Sequence, residues 1–266
     1  MKYVFGFLGT GNMGSALVRA VSKTVPSEKI CICDHNESKT NALKDELGVR
    51  VENSENLVKN CEYLVLGVKP QKLDDVAKEL DCAIKQNANL KIISMLAAVD
   101  TQKLASYFGD REYIRIMPNT PVNLGEGVVL YCVKNTSTDT ENTFVTAFEK
   151  SGSVVKIDEN LMDAGMSLSG CGPAFVYMFI DALKKAGEKL GLNSDVALTL
   201  ATQTVKGSAM MVEQFKNPEQ LKINVCSPGG TTIEGVKSLE RDNLDKTVEN
   251  ALKASYDKSK ILANRK

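Results

Sequence analysis

The chain has 266 residues, and 33 basic residues balance 33 acidic ones, so that its formal net charge is zero. This balance gives no whole-molecule electrostatic reason to bind nucleic acid or a membrane surface, and we expect neither as a partner. The seven cysteines show no C-x-x-C spacing, and a single histidine, His35, argues against a histidine-based metal cluster or a Ser-His-Asp triad. The N-terminus has no basic region followed by a sustained apolar stretch, and we expect no transmembrane segment. The composition predicts a cytoplasmic protein with reduced thiols and no metal site.

A glycine-rich turn follows the first apolar run of the chain. The run Tyr3–Leu8 predicts a buried strand, and from Met13 onward the apolar residues recur at helical spacing. Between them lies Gly9-Thr10-Gly11-Asn12-Met13-Gly14, a G-x-G-x-x-G pattern. In this strand–turn–helix context the pattern is typical of a dinucleotide site, because Gly11 lets backbone approach a pyrophosphate and the helix N-terminus offers free N–H groups. Without that context it would indicate only a glycine-rich turn.

An acidic residue lies about 20 residues beyond this turn, at the spacing that the dinucleotide pattern requires. Asp34 ends the apolar run Ile30–Cys33 and is placed to hold a ribose hydroxyl of the cofactor. A carboxylate there would repel a 2′-phosphate, which favours NADH, whereas the nearby Lys39 would offset that charge. NADH and NADPH both stay open as cofactors. We interpret His35, in the same loop, as an exposed loop residue or one lining the adenosine pocket.

Strand and helix patterns alternate over the first 158 residues, and only helical patterns follow. Further apolar runs occur at Tyr63–Val68, Leu90–Met95, Tyr113–Met117, Val128–Val133 and Ser153–Ile157. Amphipathic stretches such as 74–84 and 140–150 lie between most of them, which predicts a doubly wound, mainly parallel sheet. Later helical stripes cover 175–190, 196–212, 231–239 and 244–256. We predict an α/β, Rossmann-like domain over 1–158 and an all-α domain over 159–266.

Small and polar residues follow several predicted strands, at the edge where a doubly wound fold binds ligands. Lys69 precedes Pro70, which can begin a helix; Lys69 then reaches a phosphate or the ribose, unless it is an ordinary surface lysine. The small residues of Ile93–Ala98 would let a flat ring lie against backbone, although tight packing explains them as well. Asn119, bracketed by two prolines, can aim its amide at the nicotinamide carboxamide or at the substrate, but turn chemistry favours the same residues.

A second glycine-rich element, Gly229-Gly230-Thr231-Thr232, precedes a predicted helix in the second half. Its N–H groups and hydroxyls would bind a carboxylate without any arginine. The alternative is that Thr231 or Thr232 is simply the N-cap of the helix.

Together these segments resemble the pyrroline-5-carboxylate reductase family over essentially the whole chain. The resemblance rests on Gly6–Met13, Val68–Pro70, Met117–Pro121, Ser169–Ala174 and, most specifically, Cys226–Ile233. It implies a Rossmann domain that binds NADPH or NADH, a helical dimerisation domain that interlocks in a homodimer, and larger rings of dimers in some members. The implied cofactor contacts, to which we add Asp34, are Leu8, Gly9, Thr10, Gly11, Asn12, Met13, Ser54, Gly67, Val68, Lys69, Pro70, Met95, Leu96 and Ala97. The implied substrate contacts are Gly230, Thr231 and Thr232, and we add Asn119.

This chain departs from the family pattern at two of these segments. The family usually has Ala-Ala-Gly where this chain has Leu96-Ala97-Ala98. Cys171 replaces a serine that is common at the start of the long apolar helix.

The implied reaction is hydride transfer from a reduced nicotinamide to the imine carbon of 1-pyrroline-5-carboxylate, which gives L-proline. The helix start at Gly229–Thr231 would bind the substrate carboxylate, and Thr232 is the candidate catalytic residue, hydrogen-bonded to the ring nitrogen. The motifs contain no evident general acid, and solvent can protonate a cyclic imine before it binds. We therefore expect the alignment of the two reactants to be the main source of rate.

Two other functions are alternatives. A β-hydroxy acid dehydrogenase would carry a catalytic lysine in a glycine-rich helix of the second domain, but Ser169–Ala182 contains none. A dinucleotide-binding regulator would have no need of the carboxylate site at Gly229–Thr232.

The apolar stripes of 160–266 exceed what a lone domain of that size would cover, which predicts an obligate homodimer.

Overall fold

The computed structural model describes residues 2–263 and divides the chain into two compact units. Contacts group Met1–Gly170 with Tyr256–Lys266 in the first unit and place Cys171–Ser255 in the second. Residues 1 and 264–266, the outer ends of the two predicted domains, lie outside the described residues. The predicted domain limits of 1–158 and 159–266 stay predictions.

Eight strands form one sheet among the described residues of the first unit. In chain order they are β1 (Tyr3–Leu8), β2 (Ile30–Cys33), β3 (Arg50–Val51), β4 (Cys61–Leu66), β5 (Lys91–Ser94), β6 (Tyr113–Pro118), β7 (Gly127–Lys134) and β8 (Gly152–Lys156). Their spatial order is β3-β2-β1-β4-β5-β6-β7-β8, and every neighbouring pair is parallel except β6 and β7. The predicted doubly wound, mainly parallel sheet is confirmed. Sequence patterns missed β3, because its two exposed residues form no apolar run.

Helices cover both faces of this sheet, as an all-parallel centre requires. They are α1 (Asn12–Val21), α2 (Glu37–Leu47), α3 (Ser54–Asn60), α4 (Leu73–Gln86), α5 (Thr101–Phe108), α6 (Thr138–Phe148) and α7 (Met162–Gly165). Successive strand residues alternate between two cores: Val65 packs with α1 and α6, whereas Leu64 packs with α3, α4 and α5. The amphipathic stretches predicted at 74–84 and 140–150 are α4 and α6.

The second unit is helical, as predicted. It contains α8 (Gly172–Lys189), α9 (Ser194–Phe215), α10 (Pro218–Asn224), α11 (Thr231–Arg241) and the first part of α12 (Leu244–Ala263). The short α10 was missed by sequence reasoning. Large apolar side chains of α8 and α9 are exposed in the single chain, among them Val176, Tyr177, Met178, Phe179, Leu198, Leu200, Met210 and Phe215.

The expectation that no stretch reaches transmembrane length is wrong, although this finding alone does not place the chain in a membrane. The helical stretch Glu159–Lys189 has 31 residues and is long and apolar enough, by length and composition alone, to cross a membrane. The stretch is longer than expected because a π-helical turn at Met166–Gly170 connects α7 to α8. Core and interface helices of soluble proteins meet the same criteria, so the surroundings of the helix decide its role.

Candidate active site

The glycine-rich turn connects β1 to α1. Gly9 has a φ of +101°, and a Cβ there would lie 2.6 Å from the carbonyl oxygen of Gly67. A Cβ on Gly14 would lie 2.2 Å from the carbonyl oxygen of Gly9. By contrast, a Cβ on Gly11 would meet no atom within 4 Å. Gly9 and Gly14 thus shape the turn, whereas the space beside Gly11 is open for a ligand.

The N-terminus of α1 has the character of an anion site. Gly11 is the N-cap, no side chain caps the helix, and its first turn contains no acidic residue. The first N–H groups and the positive end of the helix dipole are therefore available to a negatively charged group. This open, uncapped helix start beside Gly11 fits the pyrophosphate of a dinucleotide.

Three candidate cofactor segments follow neighbouring strands whose last residues are in register. Leu8 of β1 pairs with Leu66 of β4, and Leu66 pairs with Ser94 of β5. The segments Leu8–Met13, Gly67–Pro70 and Met95–Ala97 therefore begin at the same carboxyl edge of the sheet. The helix that follows β1, α1, packs on one face of the sheet, whereas the helix that follows β4, α4, packs on the other. Because β1 and β4 are neighbours, the carboxyl edge between them is the topological switch point where such folds bind ligands.

Asp34 lies at the end of β2, but its carboxylate is already hydrogen-bonded within the protein. Its Oδ2 accepts from the backbone N of Thr10 at 2.6 Å and from Thr10 Oγ1 at 3.1 Å, and its Oδ1 accepts from the backbone N of Asn36 at 3.0 Å. Burial disfavours the charged form, yet these hydrogen bonds outweigh burial, and the pKa of Asp34 lies below its ordinary value. Asp34 is thus an ionised anchor for the glycine-rich turn, a role that the sequence did not reveal.

Ser54 and Lys69 occupy different surroundings. Ser54 begins α3, and its Oγ donates to Oε1 of Glu79 at 3.0 Å. Burial raises the pKa of the Cys33 thiol, and the carboxylates of Asp34 and Glu79 raise it further, so two acids lie near the end of β2.

Lys69 is exposed, and Pro70 begins a 3₁₀ turn that leads into α4. The predicted helix-starting role of this proline is confirmed.

The loop after β5 offers backbone more than side chains. Leu96 is buried in the core, so it can reach a cofactor only through its main chain, whereas Ala97 is exposed. Ala98 has a φ of +61°, in the left-handed region that favours glycine. This is the position where the family pattern has glycine, and the alanine of this chain adopts the left-handed conformation at a steric cost.

Asn119 connects three parts of the first unit. Its Oδ1 accepts from the backbone N of Val128 at 2.8 Å, and its Nδ2 donates to the carbonyl oxygen of Ser169 at 2.9 Å. The side chain is buried and positions the π-helical turn against the end of β6. These bonds give Asn119 a structural role; contact with the substrate, through the second N–H of the amide, stays a prediction.

In the second unit, α11 begins where the sequence predicted an anion site. Its N-cap is Gly230, with no side-chain cap, so the alternative in which Thr231 or Thr232 is the N-cap is wrong. Thr231 and Thr232 are the first two residues of the helix and are exposed. Gly229 has a φ of +72°, and the N–H of Gly230 donates to the carbonyl oxygen of Ser227. The hydroxyls and first N–H groups of α11 thus lie together at its start.

Several other features carry no evident chemistry. All seven cysteines are free, and the side chain of His35 is 96% exposed. Among the described residues, no group of three or more His, Cys, Asp or Glu is placed to hold a metal ion. A depression of about 890 Å³ lies at the opposite, amino edge of the sheet, where Arg111 donates to backbone carbonyls such as those of Ile84 and Asn87. We assign these structural groups no ligand.

One charged pair was missed by sequence reasoning. Arg115 is buried within β6, and its Nη1 lies 3.3 Å from Oε1 of Glu159. The available signal was a charged residue in the otherwise apolar run Tyr113–Met117. Its partner, 44 residues away, could not be identified from spacing.

Comparisons with known proteins agree with this geometry over the whole chain. Residues 159–262 match a family model described as pyrroline-5-carboxylate reductase dimerisation, and residues 4–98 match one described as NADP oxidoreductase, coenzyme F420-dependent. The chain is 36% identical to a pyrroline-5-carboxylate reductase of Arabidopsis thaliana, with 98% of this chain and 96% of that protein covered.

Solved structures give the same result. The pyrroline carboxylate reductase of Plasmodium falciparum, with NADP bound, is 33% identical with a TM-score of 0.86, and the match covers 99% of this chain and 100% of that chain. The pyrroline-5-carboxylate reductase of Coxiella burnetii is 29% identical with a TM-score of 0.93 over the full length of both chains. Full-length similarity at this level, together with the switch-point geometry and the helical second half, shows that the chain belongs to the pyrroline-5-carboxylate reductase family.

Proposed function

We propose that this reductase holds its nicotinamide cofactor at the carboxyl edge of the sheet and the carboxylate of its substrate at the start of α11. The reaction of the family is the reduction of 1-pyrroline-5-carboxylate to L-proline. A hydride adds to the imine carbon, and the ring nitrogen keeps or receives a proton. When bound, the reduced nicotinamide supplies that hydride.

The register of Leu8, Leu66 and Ser94 is the observation that carries the cofactor half of the proposal. In it, the α1 N-terminus binds the pyrophosphate beside Gly11, and the backbone of Gly67–Pro70 lines the adjacent cofactor surface. The main chain of Met95–Ala97 supports the flat face of the nicotinamide ring. The protein positions the ring and excludes water from one side of it, which favours direct transfer.

The substrate half of the proposal rests on the uncapped start of α11. Its first N–H groups and the hydroxyl of Thr231 bind the carboxylate, which needs no cationic side chain because the helix end carries partial positive charge. The hydroxyl of Thr232 hydrogen-bonds the ring nitrogen and fixes which carbon faces the hydride. Solvent supplies the proton to the imine before it binds.

The acids near the end of β2 favour NADH. Asp34 is ionised, and Glu79 adds a second negative charge in the same region, so a 2′-phosphate would meet repulsion there. The Plasmodium relative was solved with NADP, so NADPH stays open as a cofactor of this enzyme. Replacing Asp34 by Ser is expected to raise the ratio of kcat/KM for NADPH to that for NADH, whereas an unchanged ratio would remove Asp34 as the discriminator.

The enzyme is a homodimer in this proposal, joined through the helical segment that matches the dimerisation model. The exposed apolar side chains of α8 and α9 supply the surface that a partner chain covers. Assembly of dimers into rings stays a prediction. A cytoplasmic location is proposed from the biosynthetic reaction and the seven free cysteines.

Oxidation of NADH and NADPH in the presence of 1-pyrroline-5-carboxylate tests the function directly. Parallel assays with β-hydroxy acids and NAD⁺ or NADP⁺ test the alternative dehydrogenase. We expect activity with the imine only, and formation of proline in amounts equal to the cofactor oxidised. Cofactor binding without turnover of any of these substrates would instead support a regulator.

A further inference from the structure

The ion pair of the buried Arg115 and the half-buried Glu159 lies next to the loop that follows β5. Arg115 is 6% exposed and pairs in register with Ser94, the last residue of β5. Its Nη1 lies 3.3 Å from Oε1 of Glu159. Arg115 therefore lies on the strand next to β5, directly opposite the residue that precedes the segment Met95–Ala97.

Glu159 also holds the far end of that loop. Its Oε1 accepts from the backbone N of Thr101 at 2.8 Å, and its Oε2 accepts from Thr101 Oγ1 at 2.6 Å. Thr101 is the first residue of α5, so the carboxylate lies at the positive end of that helix. One carboxylate thus connects the middle of β6 to the point where the loop from β5 ends.

The buried guanidinium of Arg115 depends on the carboxylate of Glu159 for its counter-charge. The Nε of Arg115 is buried and has no hydrogen-bond partner among the described residues, and within that part of the chain Glu159 is the one carboxylate that forms an ion pair with this guanidinium. Burial raises the pKa of the neighbouring Cys132 thiol to about 12, and the negative charge of Glu159 contributes to that rise. Loss of the carboxylate would leave a buried cation without its counter-ion, so β6 and the loop after β5 would have to rearrange.

We propose that Arg115 and Glu159 are positioning residues for hydride transfer. They hold the loop 95–100 so that the backbone of Met95–Ala97 fixes the plane of the nicotinamide ring. Neither residue contacts the reacting atoms in this proposal. The inference rests on the proposed function, because it assigns that loop to the nicotinamide.

A second ion pair of the same sheet provides a matched control. Lys91 and Glu62 lie 2.6 Å apart at the amino edge, away from the cofactor segments. Glu62→Gln removes a sheet-bracing carboxylate, as Glu159→Gln does, but leaves the loop after β5 untouched. If the Arg115–Glu159 pair served stability alone, the two variants would change the melting temperature and leave kcat unchanged.

The experiment compares wild type, Glu159→Gln, Thr101→Val and Glu62→Gln as full-length protein. For each we measure the melting temperature, kcat, the Michaelis constants for cofactor and substrate, and the primary kinetic isotope effect with NADH deuterated at the transferred position. Glu159→Gln is expected to lower kcat about 10- to 100-fold, as a displacement of the ring by about 1 Å would. The Michaelis constant for the imine substrate should change little, and the isotope effect should rise because hydride transfer becomes slower than release of product.

Thr101→Val removes one contact to Glu159 without changing charge, so it should shift kcat and the isotope effect in the same direction by less. It also keeps the inference testable if Glu159→Gln does not fold. A wild-type kcat and isotope effect in Thr101→Val and in any folded Glu159→Gln would overturn the positioning role, whatever the melting temperatures. Fluorescence of bound NADH reports the surroundings of the nicotinamide without turnover, so it distinguishes failure of this inference from failure of the proposed function. An inactive wild type would refute the function. The fluorescence of NADH bound to the variants would still test the position of the ring.

Discussion

Substitution of Gly11 tests the cofactor site with little disturbance of the fold. A Cβ at Gly11 meets no atom within 4 Å, and the φ of this residue is −60°, which every residue type adopts. Valine at an N-cap costs about 0.5–1 kcal/mol relative to better capping residues. A unit of this size shifts its melting temperature by about 2–4 °C per kcal/mol, so Gly11→Val should lower it by only about 1–4 °C.

The effect on the cofactor should be much larger. A branched side chain at Gly11 would occupy the space of the pyrophosphate and separate it from the N–H groups of α1. A hydrogen bond to a charged group contributes about 1.5–3 kcal/mol, and loss of two such bonds is a loss of about 3 kcal/mol or more. The Kd for NADH and NADPH should therefore rise at least about 150-fold.

Gly14→Ala is the matched control within the same turn. Its Cβ would lie 2.2 Å from the carbonyl oxygen of Gly9, so this variant should lose about 1–3 kcal/mol of stability or more through forced backbone shifts. Titration of cofactor fluorescence and thermal unfolding, on the same preparations, separate the two effects. Unchanged cofactor affinity in a folded Gly11→Val protein would refute the assignment of this turn to the pyrophosphate.

Three further predictions concern single residues. Ala98→Gly should raise the free energy of unfolding by about 0.5–1 kcal/mol because it removes the strain of the left-handed backbone, whereas Ala97→Gly should lower it. Thermal unfolding measures both, and a less stable Ala98→Gly protein would show that the backbone at Ala98 is not strained. Thr232→Val should lower kcat/KM about 5- to 150-fold at an unchanged melting temperature, since Gly230 is the N-cap; loss of stability alone would remove Thr232 from the site. The folded-state pKa of Asp34 is lowered, so its contribution to stability is present above the unfolded pKa of about 3.9 and is lost as pH falls below it. The stability difference between wild type and Asp34→Asn should therefore be constant above about pH 5 and shrink below about pH 4, and a difference independent of pH would contradict it.

The glycine-rich turn after β1 and the alternation of strands and helices could be predicted because both depend on local sequence patterns. Glycine spacing, strand runs and helical stripes report residues that are neighbours in the chain, and the predicted α4, α6, α9 and α11 all lie where the periodicity placed them. The strand Arg50–Val51 and the helix Pro218–Asn224 escaped because they are short and exposed. Their positions depend on pairing and packing that no local pattern records.

Side-chain roles are harder to predict than elements. The positions of Asp34 and Asn119 at strand ends predict ligand-binding residues, and both do lie at those ends. Their hydrogen-bond partners, Thr10 and Ser169, are 24 and 50 residues away in the chain. Sequence spacing therefore identifies the edge that carries the chemistry, but it cannot separate a residue that touches the ligand from one that supports the residue that does.

The apolar stretch Glu159–Lys189 shows how the surroundings of a helix decide between two interpretations of the same composition. Its last turns carry ion pairs, with Lys185 2.6 Å from Asp181 and Lys184 2.9 Å from Glu188. The segment 164–180 contains no charged residue, so composition alone would equally allow these charges to flank a membrane span. A dimer interface would let such charges stay in water at its rim while a partner covers exposed residues such as Met178 and Phe179. The match of 159–262 to a dimerisation model favours the second interpretation, so the apolarity of this helix is best explained by a protein surface.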